Sequence, residues 1–225
     1  MRAHLLACPT LVAELLLLVA VPAWAQTRGS GLSGVALAYR VEQRMRYLGS
    51  VHDQSGTWFG GEGLARVGPV GLRVSGVTGR LSGDTSVTNP DRTVRISTAS
   101  LSLWPAAWLD LGADVVARRV ESNASTVVAR LFGGHAGLAI PLGVQGLTGT
   151  VQAVYYPATD VTGDEKLSLA LSGEFGFSYL PSRGGIVLRL SYRFERYDSA
   201  ATTLGPARLE QVRTVVAGLG IHCGR

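Results

Sequence analysis

Cysteine is scarce in this sequence, and its scarcity limits the available chemistry. Among 225 residues there are two cysteines, Cys8 and Cys223. Cys8 lies in the N-terminal segment interpreted below as a secretion signal, so the mature chain would retain Cys223 alone. This excludes an intramolecular disulfide and a cysteine-based metal site. We predict no bound metal and no cofactor.

Long helical periods and clustered charge are also missing. Charged residues make up 16% of the chain, and the formal net charge is +5. The basic residues are dispersed along the chain, and no nucleic-acid-binding motif accompanies them, so we predict no nucleic-acid partner. No linker or low-complexity run divides the chain, which favours one domain after the signal.

The N-terminus has the features of a cleaved secretion signal. An apolar stretch at 11–21, interrupted only by Glu14, is followed by Ala23, Trp24 and Ala25, a small-x-small cleavage site. The stretch is short for a membrane anchor. We predict a signal peptide at 1–25 and a flexible leader at 26–32.

The segment 166–197 changes character at every residue. Leu188 and Leu190 share one parity, whereas Arg189 and Arg193 occupy the other. A period of two indicates a β-strand with one apolar and one polar face. The pattern recurs along the chain and predicts ten strands, near 33–48, 56–67, 70–82, 92–103, 108–121, 126–140, 146–157, 166–180, 185–198 and 208–221.

The predicted connections differ between the two ends of these strands. Short turns built on Pro or Gly follow the second, fourth, sixth and eighth strands, and longer or more polar segments follow the others. Membrane barrels combine short turns at one end with long loops at the other. We therefore predict an all-β fold over 33–221, a transmembrane antiparallel up-and-down β-barrel of ten strands, with eight as the alternative count. A C-terminal tail would follow at 222–225.

The cost of exposing charge to lipid decides which parity faces outward. An arginine facing the middle of a bilayer costs about 2–4 kcal/mol. A slip of one residue would turn Arg189, Arg193 and Glu195 outward together. The apolar rows are therefore predicted to face lipid, and the charged rows to face an enclosed lumen. The alternative is a secreted soluble barrel, in which the apolar rows would line a ligand pocket.

With this alternation, these connections and aromatic residues near strand ends, such as Trp104 and Tyr197, the sequence resembles the small bacterial outer-membrane β-barrel proteins. The resemblance covers about 33–221. It implies export to the bacterial outer membrane, contact with outer-membrane lipids, small polar solutes as the other partners, and a monomer. The sequence departs from many such proteins at its C-terminus, which reads "GLGIHCGR" and lacks a terminal aromatic residue.

Ionisable residues on the polar parity are predicted to line the lumen. Charges enclosed in a narrow barrel need partners, so we interpret the set as an ion-pair network that fills and stiffens the interior. The alternative is a narrow polar channel biased toward anions. The predicted set is Arg40, Glu42, Glu62, Arg66, Arg73, Arg95, Asp110, Asp114, Arg118, Glu174, Arg189, Arg193 and Glu195.

No residue is predicted to be catalytic. His52 and Asp53 are adjacent in a predicted loop, where such pairs are ordinarily solvated. His135 falls on the inner parity of the sixth strand and is expected to bond to Asp110 or Asp114. We predict a non-enzymatic outer-membrane protein with a structural or envelope role, or a narrow passive pore. The alternative is a barrel-borne hydrolase that acts on lipid or peptide at the extracellular rim.

Overall fold

A computed structural model describes residues 31–83, 91–123, 126–161, 167–181, 184–200 and 207–224. The predicted signal peptide at 1–25 and residues 26–30 of the predicted leader lie outside the described residues. Within the described ranges, no helix has the length and apolar character needed to cross a membrane.

The described residues form ten antiparallel strands that close into a barrel. Each strand pairs with its neighbours in sequence, and the first pairs with the last from Gly31 opposite Gly224 to Tyr47 opposite Arg208. Closure leaves no exposed sheet edge. The strands are β1 (Gly31–Tyr47), β2 (Ser50–Val67), β3 (Val70–Leu81), β4 (Arg92–Ala106), β5 (Leu109–Glu121), β6 (Thr126–Pro141), β7 (Leu147–Val161), β8 (Leu167–Tyr179), β9 (Gly185–Ser199) and β10 (Arg208–Gly224).

This architecture confirms the predicted fold class and the count of ten strands. The largest differences in strand bounds lie at β2, which begins at Ser50 rather than near 56, and at β10, which continues to Gly224. The predicted tail therefore contributes His222–Gly224 to the last strand. Residues 31 and 32 of the predicted leader likewise belong to β1.

The strand connections define two ends of the barrel. The turn end carries both ends of the strand array and the connections 68–69, 107–108, 142–146 and 180–184; the loop end carries 48–49, 82–91, 122–125, 162–166 and 200–207. At the loop end only 82–91 and 200–207 are clearly longer than the turns. The strict alternation of length indicated by the sequence therefore does not hold.

The first connection shows why the alternation fails. The stretch interpreted as a polar loop is instead a long hairpin, closed by Leu48 and Gly49 with φ of 50° and 79°. Positive φ at both central residues matches the twist of the flanking strands. The β1–β2 hairpin consequently extends in register to the turn itself.

The outer surface of the barrel is apolar around its middle. Leu188 and Phe177 are 50% and 55% exposed, while the intervening strand position Arg189 bonds inside the barrel to Glu62. The predicted orientation of these strands is thus confirmed. The outward apolar band includes Leu72, Val74, Leu101, Leu103, Val115, Phe132, Leu138, Val151, Phe175, Phe177, Leu188, Leu190, Val215 and Leu219.

Candidate functional site: the filled lumen

Ten of the thirteen residues expected in the lumen lie on inward-facing rows, and three do not. Arg40 and Glu42 of β1 and Arg95 of β4 lie on outward-facing rows. This differs from the sequence interpretation, which placed all three inside. On β1 the apolar residues Leu37, Tyr39 and Val41 point inward instead and are 4%, 5% and 0% exposed. The inward residues are Glu62, Arg66, Arg73, Asp110, Asp114, Arg118, Glu174, Arg189, Arg193 and Glu195.

A charged cluster links β2, β8 and β9 across the lumen. Arg189 donates to both carboxylate oxygens of Glu62, at 2.9 and 3.0 Å, and to Glu174 at 2.5 Å. Arg193 donates to Glu174 from Nε and Nη2 at 2.9 and 2.7 Å. Arg73 lies 3.8 Å from Glu62, and Arg193 lies 4.0 Å from Glu195. The two carboxylates thus hold three guanidinium groups together.

A second ion pair joins opposite walls of the barrel. Arg118 of β5 is paired with Glu210 of β10, and both side chains are buried. Five strand pairings separate β5 from β10 in either direction around the barrel. The Arg118 guanidinium also lies 5.0 Å from the ring centre of Tyr197, a distance at which a cation is attracted to the ring face. This pair therefore spans the lumen.

His135 lies between two carboxylates on the inner face of β5. Its Nδ1 is 2.7 Å from Asp114, and its Nε2 is 3.3 Å from Asp110 and 3.2 Å from the Ser102 hydroxyl. The Ser100 hydroxyl donates to Asp114 at 2.5 Å. His135 therefore contacts both of the acids that the sequence offered as alternatives.

The cluster has the connectivity of a Ser–His–Asp triad but lacks its electrostatics. Both nitrogens of His135 face carboxylates, an arrangement that suits an imidazolium with two N–H donors. An imidazolium has no lone pair with which to accept the proton of Ser102, as a general base must. Ser102 is also 3% exposed. The geometry describes a buried ionic cluster rather than an activated nucleophile.

An apolar cluster fills the lumen nearer the loop end. On β2, Trp58 of this cluster lies closer to that end than Glu62 does; on β9, Tyr197 lies closer than Arg193. Period two alone did not reveal this cluster, because inward apolar residues have the same spacing as lipid-facing ones. Its buried members are Leu37, Tyr39, Val41, Trp58, Leu81, Val94, Val116, Ala129, Leu131, Tyr156, Ala170, Tyr197, Val212 and Val216.

The remaining sequence candidates do not form a shared site. His52 and Asp53 are consecutive residues of β2 and therefore point to opposite faces. Asp53 accepts hydrogen bonds from Arg44 at 2.8 and 3.1 Å. Over the ranges that the structure describes, no three His, Cys, Asp or Glu side chains are grouped as metal ligands would be.

A closed barrel with a lipid-compatible outer band and a charged interior is a membrane-spanning structure. The architecture is that of the small bacterial outer-membrane β-barrels. The chain's location is accordingly the outer membrane. No protein-family model matches the sequence, and no curated protein matches it either.

Several solved outer-membrane structures share this architecture. The translocator domain of the autotransporter NalP from Neisseria meningitidis is 13% identical, with 84% of this chain and 88% of that chain covered and a TM-score of 0.44. Ail, the attachment invasion locus protein of Yersinia pestis, is 14% identical, with coverage of 85% and 98% and a TM-score of 0.37. The outer-membrane protein OprG from Pseudomonas aeruginosa is 12% identical, with coverage of 88% and 97% and a TM-score of 0.37. Similarity at this level carries no argument about activity.

Proposed function

We propose that this protein is a non-enzymatic, monomeric component of the outer membrane with a structural role in the envelope, and that its interior does not conduct solutes. The observation that supports the proposal is the filling of the lumen. An apolar cluster that includes Val41 and Leu131, 0% and 1% exposed, lies over a cross-barrel ionic network. Water and ions would have to displace both layers in order to pass.

The ionic layer favours a rigid barrel over a gated pore. Arg189 is held by carboxylates on two different strands, Glu62 of β2 and Glu174 of β8. Moving one wall away from the other would leave a charge unpaired in a poorly hydrated interior. Breaking such a buried pair costs about 3–5 kcal/mol. The interior therefore resists opening, as a structural barrel requires.

Planar-bilayer recording tests the proposal directly. The wild-type barrel is expected to insert without stable conductance steps. A variant that empties part of the apolar cluster, Tyr39→Ala with Leu131→Ala and Tyr156→Ala, is expected to conduct if it retains heat-modifiable gel mobility. A wild-type conductance equal to that of the emptied variant would contradict the proposal, because the cluster would then not be a barrier.

A second candidate function, hydrolysis at Ser102, is supported by one observation. The Ser102 hydroxyl lies 3.2 Å from Nε2 of His135, and Nδ1 of that ring lies 2.7 Å from Asp114. Asp110 on the Nε2 side argues against this function, as set out above. The test compares Ser102→Ala with the wild type on lipid and peptide ester substrates. Activity in the wild type that is lost in Ser102→Ala would favour the hydrolase.

A further inference from the structure

We propose that the outer face of β10, β1 and β2 binds one membrane lipid with a phosphate headgroup. Its acyl chain would lie in an apolar groove beside β1, and its phosphate would bind Arg40 and Arg213 above the groove. The inference rests on the proposed membrane role and adds a specific ligand site to it.

The groove lies where the outer surface of the barrel is built from small residues. Ala36 and Ala38 of β1 and Ala217 of β10 form its floor, with Phe59 of β2 and Leu190 of β9 among the larger side chains around it. Its volume is about 550 Å³. The lining is almost wholly apolar, so the groove suits hydrocarbon. Since β1 and β10 pair in register here, with Ala38 opposite Ala217, the floor is continuous across the two strands.

A polar pocket lies directly above this groove. Arg40 is the next outward residue after Ala38 on β1, about 7 Å further toward the loop end at the usual strand rise. The pocket has a volume of about 460 Å³ and is lined by Arg40, Glu42, Arg44, Asp53 and Arg213, among others. Arg213 lies opposite Glu42 in the β1–β10 register, so it neighbours Arg40 diagonally. Cations thus meet the upper end of the groove.

The charges of the pocket leave two arginines available to a ligand. Asp53 is engaged by Arg44, through bonds of 2.8 and 3.1 Å. Arg40, Arg213 and Glu42 make no hydrogen bond or ion pair within the part of the chain that the structure describes. With Arg44 and Asp53 paired, two cations and one anion remain. Guanidinium groups bind phosphate oxygens in bidentate fashion, so a phosphate complements this pocket better than a neutral headgroup does.

The position of the pocket in the bilayer selects a lipid over a soluble anion. Both features lie on one outward face and share the β1 column that runs from Ala36 through Ala38 to Arg40. A ligand that occupies both must combine an apolar chain with a charged end. Lipids of the leaflet at the loop end have this form and present the headgroup at this height. A free phosphate would satisfy only the arginines.

Arg95 provides a matched control on another part of the barrel. It lies on an outward row of β4, above Ala99 and Leu101. Its register neighbour on β5 is Arg119, which is paired with Glu121 at 2.6 Å. Arg95→Gln therefore removes an outward arginine at the loop-end side of the apolar band without touching the β1 groove.

The experiment measures lipid retention by the full-length mature barrel, refolded in detergent, by native mass spectrometry. Phosphatidylglycerol is compared with a phosphate-free glycolipid of equal chain length, and inorganic phosphate is added as a competitor. We expect one tightly bound phosphatidylglycerol. Arg40→Gln with Arg213→Gln should weaken it at least about tenfold, since charge-assisted hydrogen bonds are lost. Ala38→Phe, which fills the groove, should also weaken it, and Arg95→Gln should not.

Each other outcome overturns the site. Equal retention by the double variant, or an equal loss in Arg95→Gln, would show that the β1 pocket is not special. Displacement by millimolar inorganic phosphate would indicate an anion site without a lipid role. A dimer formed through the small-residue groove and abolished by Ala38→Phe would assign the groove to a second copy. Conductance is measured separately, so an open lumen refutes the proposed function and leaves the lipid result to be judged alone.

Discussion

Removal of the Glu174 carboxylate should destabilise the barrel more than removal of an exposed acid does. Glu174 is 9% exposed and accepts hydrogen bonds from Arg189 and Arg193, with distances of 2.5–2.9 Å. In Glu174→Ala, Arg189 keeps Glu62 as a partner. Arg193 keeps only Glu195, 4.0 Å away. The variant thus leaves one guanidinium almost uncompensated in the interior.

This geometry sets the expected magnitude. Breaking a buried ion pair by removing one partner costs about 3–5 kcal/mol. Because Arg189 retains Glu62 and the Arg193 side chain is 31% exposed, we expect the lower part of that range, about 3 kcal/mol. Glu174→Gln keeps the shape and one acceptor oxygen, so it should cost less than Glu174→Ala.

Equilibrium urea unfolding in lipid vesicles, followed by tryptophan fluorescence, measures these differences. Glu121→Ala is the control, because Glu121 pairs with Arg119, whose side chain is 54% exposed. Exposed pairs contribute about 0–1 kcal/mol. If Glu174→Ala and Glu121→Ala lower the free energy of unfolding equally, the argument that the lumen network is buried and strongly coupled is refuted.

Two further predictions concern the outer band and the interior. Leu188→Arg places a charge among lipid-facing residues and should cost about 2–4 kcal/mol in the same unfolding assay, whereas Leu188→Met should be nearly neutral. Gly79→Ala should cost about 1–3 kcal/mol by overpacking, because an added Cβ would lie 1.9 Å from the Trp58 ring and 2.7 Å from the Trp58 backbone. Its fluorescence should show a displaced Trp58; an unchanged spectrum and stability would count against the packing described here.

Alternation was sufficient to predict the strands whose two faces differ in one sense only. On β9, Leu188 and Leu190 face lipid and Arg189 and Arg193 face other charges, so period two reports orientation directly. The ten strands and the closed barrel follow from ten such segments in sequence. The pairing partners of each charge do not follow, because Arg189 and Glu62 are 127 residues apart and meet only through barrel closure.

β1 shows where the same inference fails. It assumes that the larger apolar residues of a strand face lipid. In β1 the larger residues Leu37, Tyr39 and Val41 fill the interior, and the outward row carries Ala36 and Ala38 before it reaches Arg40. Alanine is apolar enough for lipid, so both orientations satisfy the pattern. Only the volume that the interior must fill distinguishes them.

The failure at β1 and the proposed lipid site have one physical cause. The lumen near the loop end needs bulky apolar residues, and β1 supplies them on its inner row. The outer row of β1 is then free to carry small residues, and these create the groove between Phe59 and Leu190. Beyond the apolar band the same row continues as Arg40 and Glu42, where charge costs little because headgroups are within reach. A strand that fills the barrel with its large side chains thereby presents on its lipid side a surface shaped for one chain and one phosphate.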